Sequence, residues 1–185
     1  MKLIPVPAFD DYCIWMLRDG HRALVVDPGD AKPVLEDLQN EGLQLRGILV
    51  AHCHPDHTRG IDVLINATGA SVFGPANERV PDHTADHMVY IAGVRSEAPS
   101  LFCGDTFFIS GSGHLFEGTP QQMLVSLSLL AELPGATRVC CAHEYTLNNL
   151  EICGRRQNRQ LAIRGLPGPM PSAARAKAAH PFFQH

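Results

Sequence analysis

Apolar residues along this chain fall into short runs separated by stretches of helical spacing. KLIPV (2–6), CIWML (13–17) and ALVVD (23–27) predict strands, the last two joined by the turn RDGHR. After the loop DPGDAKP, Val34, Leu35 and Leu38 recur along one helix face and predict a short helix ending near Gly42. GILV (47–50) predicts a buried strand, Ile61, Leu64 and Ile65 another helix, and SVFG (71–74) a further strand. HMVYI (87–91) and SLFC (100–103) predict a strand pair. Thr119-Pro120-Gln121-Gln122 predicts a helix start, with threonine as N-cap, proline in the first turn and glutamine closing a capping box. Met123, Leu124, Leu127, Leu130 and Ala131 keep helical spacing to Pro134 and read as ordinary core. RVCCA (138–142) predicts a buried strand ending at His143. The tail from about Gly165 is rich in Pro, Ala and Gly and specifies little.

Residues able to bind metal appear where these strands stop. His52 follows GILV, Asp105 follows SLFC and His143 follows RVCC. Strand ends converging on one sheet edge give a rigid support for a site. Residues 51–60, AHCHPDHTRG, add His54, Asp56 and His57, and His83 lies further on. Imidazoles and carboxylates without a thiolate pattern suit zinc, iron or manganese. A single zinc site takes three or four protein ligands, so the set His52, His54, Asp56, His57, His83, Asp105 and His143 predicts two ions. Cys53 lies between two ligands, and alternation turns its side chain away from them. His87 is read as a support near the site, Arg59 as a surface cation, and His21, His180 and His185 as ordinary histidines.

The bulk numbers narrow the partners. The 185 residues, 45% hydrophobic and 18% charged, suit one globular domain with a small appendage. A net charge of −4 without a basic cluster speaks against nucleic-acid binding. No apolar run approaches the ~20 residues of a membrane span, and MKLIPVPAFDDYC lacks the apolar core of a signal peptide. Cys140 and Cys141 are adjacent in an apolar segment, so the cysteines are read as reduced thiols of a cytoplasmic protein. Oligomeric state leaves no mark on the sequence.

HCHPDH, followed by His83, Gly104-Asp105 and His143-Glu144-Tyr145, resembles the metallo-β-lactamase superfamily. Within it the chain is similar to the glyoxalase II, or hydroxyacylglutathione hydrolase, family. FDDYCIWML, VVDPGDA, LVAHCHPDH, VFGP, LFCGDTFF, LFEGTPQQM and CCAHEYTLNNLE carry the likeness and cover most of residues 1–152. The resemblance implies an α/β fold, the αβ/βα sandwich with two mixed sheets inside and helices outside. It implies a catalytic domain over residues 1–144 and a reduced helical, substrate-binding segment over 145–185. One metal would be held by His52, His54 and His83, a second by Asp56, His57 and His143, with Asp105 bridging. Asp56 and Asp105 are the catalytic carboxylates on that pattern. His114, Phe116 and Tyr145 would contact the substrate.

The implied reaction is hydrolysis of S-D-lactoylglutathione to D-lactate and glutathione by a hydroxide bridging two divalent ions, zinc first, iron or manganese next. Metal lowers the pKa of bound water from near 16 to about 7, and a thiolate of pKa ~8.5 leaves without a strong acid. The chain also departs from the family. His83 follows His57 by only 26 positions, Asp82 and Asp86 stand where glycine is usual, and Gln184 replaces an arginine near the end. A hydrolase of other thioesters, lactones or β-lactams, or a metal-binding but inactive relative, is the alternative.

Overall fold

Alternate residues of each strand face different layers, and this builds the molecule. The computed structural model describes residues 1–75, 87–93, 98–108 and 119–143. Segment 145–185, and with it Tyr145, lies outside the described residues, as do His83, His114 and Phe116. The first sheet contains β1 (Lys2–Ala8), β2 (Tyr12–Asp19), β3 (Arg22–Val26), β4 (Gln44–Leu49) and β5 (Ser71–Phe73), in that order. Its first three strands are antiparallel, and β4 and β5 continue it in parallel. The second sheet orders β6 (Tyr90–Ala92), β7 (Ser100–Phe102) and β8 (Arg138–Cys140), antiparallel then parallel. The helices are α1 (Ala31–Asn40), α2 (Pro55–Thr58), α3 (Ile61–Thr68) and α4 (Pro120–Ala131).

In β2, Ile14 and Met16 join Val25 of β3 and Ile48 of β4 in a core shared with Val34 and Leu38 of α1 and Leu64 of α3. The intervening Trp15, Leu17 and Val26 meet Phe102 and Cys140 of the second sheet. On that sheet's other face, Leu101 and Val139 pack with Leu127 and Leu130 of α4. The period of two in the strands thus makes the expected helix–sheet–sheet–helix sandwich, and each fully buried aliphatic or aromatic side chain adds about 1.5–3 kcal/mol.

Two expectations need correcting. The strand expected over 87–91 is Tyr90–Ala92, because the Met88 amide donates to the Ala51 carbonyl (2.9 Å) and ties that residue to the end of β4. The α4 stripe is narrower than its spacing suggests: Leu124 is 47% exposed, since only Met123, Leu127 and Leu130 reach the sheet. The capping box holds, with the Gln122 amide donating to Thr119 Oγ1 (3.2 Å) and the Thr119 amide to Gln122 Oε1 (2.7 Å). Among the described residues no helix is long and apolar enough to cross a membrane.

The segment after β8 stitches the two sheets together. The Cys13 amide donates to the Ala142 carbonyl (2.8 Å) and Trp15 Nε1 to the Cys141 carbonyl (2.8 Å). Tyr12 pairs with His143 in an isolated antiparallel bridge. His143 is thereby carried to the edge where β3 and β4 end.

Candidate metal centre

The chain leaves β4 at Leu49 and turns through His52 into α2, with His54 at its N-cap and Pro55 fixing the first turn. A single helical turn then sends Asp56 and His57 in directions different from His52 and His54. Two groups result: His52, His54 and Asp105, and Asp56, His57 and His143, each with its ligand atoms within 4.8 Å of one another. Cys53 is exposed.

Asp105 stands between the two groups. Its Oδ1 lies 3.5 Å from His57 Nε2 and 3.9 Å from His143 Nε2, although it also belongs with His52 and His54. Gly104 places it there: the backbone adopts φ +47, and a Cβ would sit 3.1 Å from the Ala51 side chain. His143 Nε2 is 3.2 Å from Asp56 Oδ2.

These separations fit bound metal. Two ligands at about 2.1 Å from a tetrahedral ion lie roughly 3.4 Å apart. Among the described residues no hydrogen bond reaches the buried Asp105 Oδ1, and both nitrogens of the fully buried His57 face carboxylates without hydrogen-bond geometry. Polar atoms left this way are costly in a dry interior, and a cation shared among them removes the cost. The expected ligands other than His83 are thus brought together in two groups, each of which could hold a metal ion.

The electrostatics are lopsided. Burial alone would lower the His57 pKa, but Asp105 and Asp27 outweigh it and push the imidazole up to about 10. Burial, then the neighbouring His87, His54 and His57, bring His52 down to about 3. Burial works to raise Asp105, and the His57 contact with the surrounding imidazoles reverses it, so its carboxyl is lowered. Without metal near neutral pH, His57 therefore holds a proton and His52 does not. Metal needs the lone pair that this proton occupies. Loading at about pH 8 is expected to release about one proton from His57, falling toward none as pH passes about 10, where the imidazole is already neutral. Calorimetric titration in two buffers of different ionisation enthalpy measures it; the same binding heat in both would refute it.

Asp27 and Tyr12, to which sequence reading assigns no role in the site, complete the surroundings together with the expected support His87. Asp27, buried at the end of β3 with φ +50, accepts a hydrogen bond from the Ala51 amide (2.6 Å) and puts Oδ2 3.2 Å from His57 Nδ1. A carboxylate on the far nitrogen fixes the tautomer and orientation of a metal-binding imidazole. Its signal was the strand-end position after ALVV, the same that marks His52, Asp105 and His143. Tyr12 donates to the Asp27 carbonyl (3.0 Å) and meets His57 and His143 edge-on, with centroids 5.3 and 4.9 Å away. His87 stacks on His52, with centroids 3.8 Å apart and planes 15° apart, so it supports the site through ring packing.

Comparison with known proteins agrees with this geometry. Residues 13–100 match the metallo-beta-lactamase superfamily. The chain is 55% identical over 177 residues to the hydroxyacylglutathione hydrolase of Albidiferax ferrireducens, covering 82% of this chain and 69% of that protein. It is 42% identical to the hydroxyacylglutathione hydrolase of Methylobacillus flagellatus over 222 positions, covering 99% of this chain and 87% of the relative. That span exceeds the 185 residues here, so the relative carries residues inside it that this chain lacks. The B3 metallo-β-lactamase BLEG-1 shares the fold, with a TM-score of 0.70 at 20% identity over the whole of both chains. A metallo-β-lactamase from Staphylococcus aureus does so with a TM-score of 0.68 at 18% identity, covering 99% of this chain and 64% of that one. With its ligand-bearing strand ends, its four-layer sandwich and relatives this similar over most of their length, the chain belongs to the hydroxyacylglutathione hydrolase family of the metallo-β-lactamase superfamily.

Proposed function

We propose that the protein hydrolyses S-D-lactoylglutathione to D-lactate and glutathione at a centre of two divalent ions, zinc in the first instance. The observation carrying this reading is Asp105, whose carboxylate faces the imidazoles of both ligand groups at once. His52 and His54, joined by His83, hold one ion on this reading, and Asp56, His57 and His143 the other. The ions supply Lewis acidity toward the thioester carbonyl and a nucleophile available at neutral pH. The chain's own groups provide placement. Asp27 orients His57, ring stacking with His87 orients His52, and Asp105 keeps the groups at a fixed spacing. The glutathione thiolate departs at pKa ~8.5, so no residue need protonate it. His114, Phe116 and Tyr145 are assigned to the substrate, residues 145–185 to the segment that holds it, and the cytoplasm to the protein.

The test is turnover of S-D-lactoylglutathione by metal-loaded protein beside His54→Ala. Removing an imidazole from the first group is expected to lower turnover to background. Equal rates in the two proteins would refute the centre as the site of reaction. No turnover with about two ions bound per chain would shift the substrate to smaller thioesters, lactones or β-lactams. The residues present in the Methylobacillus relative and missing here favour that second reading.

A further inference from the structure

The second ligand group has an outer carboxylate that the strand-end pattern does not mark and to which the family resemblance, though it covers FDDYCIWML, assigns no role. His143 presents Nε2 inward to Asp56 Oδ2 (3.2 Å), and its buried Nδ1 lies 3.5 Å from Asp11 Oδ1, a charge contact without hydrogen-bond geometry. The backbone sets this contact. The chain turns between β1 and β2 at Phe9, where φ is +52, and Asp11 directly precedes Tyr12, the residue paired with His143. The Cys13 amide bonded to the Ala142 carbonyl (2.8 Å) locks the register, so Asp11 cannot drift along the strand away from the imidazole. Asp27 occupies the same relation to His57, at 3.2 Å from Nδ1. Both imidazoles of the second group therefore back onto carboxylates, whereas the first group's His52 backs onto the ring of His87.

We infer that Asp11 is a positioning residue for the second metal ion: its carboxylate keeps the hydrogen of His143 on Nδ1 and leaves Nε2 as the donor to the ion. The inference rests on the two-ion reading above. A negative oxygen on the outer nitrogen makes the inner one a stronger ligand, and removing such a partner typically weakens metal binding about 10–100-fold. His143 meets the first group only at Asp105, 3.9 Å from its Nε2, while it belongs to the second group itself, so the loss falls chiefly on the second site.

The experiment is chelator competition with zinc on the full chain, resolving the two affinities, for wild type, Asp11→Ala, Asp11→Asn and His143→Ala. Melting of each metal-free protein and the visible spectrum of the cobalt-loaded form accompany it. Asp11→Ala is expected to weaken the second ion about 10–100-fold, to leave the first unchanged and to alter the cobalt bands of one site. Asp11→Asn, which keeps an acceptor oxygen without the charge, falls between Ala and wild type. The side chain of Asp11 is 45% exposed in a turn, so the metal-free melt stays at the wild-type temperature. Wild-type affinity for both ions in Asp11→Ala, or equal weakening of both, overturns the role of Asp11. If His143→Ala itself retained two ions at full affinity, the two-ion reading would fail, and that result is distinct from failure of Asp11 alone.

Discussion

Asp105→Asn is expected to lose at least about 10³-fold in turnover while keeping a folded chain. The amide is close in size to the carboxylate, so the turn at Gly104 and the packing of Phe102 and Cys103 beneath it remain. What disappears is the charge that faces His57 and His143 while grouping with His52 and His54. An amide binds divalent ions weakly, and its NH2 set against an imidazole donor adds a repulsive contact. On the two-ion reading, both ions would lose their shared ligand together, and the stabilisation of developing charge that such ions supply is worth several kcal/mol. A thousandfold loss corresponds to about 4 kcal/mol. Metal content and kcat measured on the same preparation separate the outcomes. Near wild-type turnover with two ions bound would mean that Asp105 is not the shared ligand, and the pairing of the groups would have to be redrawn.

The sandwich was expected from the family resemblance, and the structure supplies its physical ground: alternation in β2 puts Ile14 and Met16 in one layer and Trp15 and Leu17 in the next. The sequence carried the ligands because His52, Asp105 and His143 come just after strands, and His54, Asp56 and His57 crowd beside the first of them. Asp27 also follows a strand, yet an aspartate before Pro-Gly reads first as a turn former, and only the 3.2 Å contact with His57 shows its second task. Asp11 lies inside the family-like segment FDDYCIWML, but its role was not legible, because its neighbour in space is 132 positions along the chain and the contact depends on the pairing of Tyr12 with His143. The one-turn helix α2 was missed because four residues hold no period. Leu124 was assigned to the core because spacing marks a helix face but does not give the width of what covers it.

The second large effect is expected at a residue that binds nothing. Gly29 sits where the turn after β3 passes against α2, and a Cβ there would lie 1.7 Å from the Asp56 carbonyl oxygen and 2.6 Å from its carbon. Both are backbone atoms, so no side-chain rotation can relieve the overlap. Nor can the turn retreat, because the Gly60 amide donates to the Pro28 carbonyl (3.0 Å) and a Cβ at Gly60 would itself come within 2.4 Å of that oxygen. Gly29→Ala must therefore push α2 outward, taking Asp56 and His57 with it. Overpacking of this kind costs about 1–3 kcal/mol, a fall of roughly 2–12 °C in melting temperature for a chain of this size. The effect on turnover is expected to be larger, since a misplacement of about 1 Å can cost about 100-fold. Gly20→Ala is the matched control. It has positive φ but nothing within 4 Å of the added methyl, so it pays only backbone strain, of order 1–2 kcal/mol, and keeps its activity. Equal turnover in the two variants would show that the turn and α2 separate without consequence, and that the spacing of the ligand groups does not depend on the contact between Gly29 and Asp56.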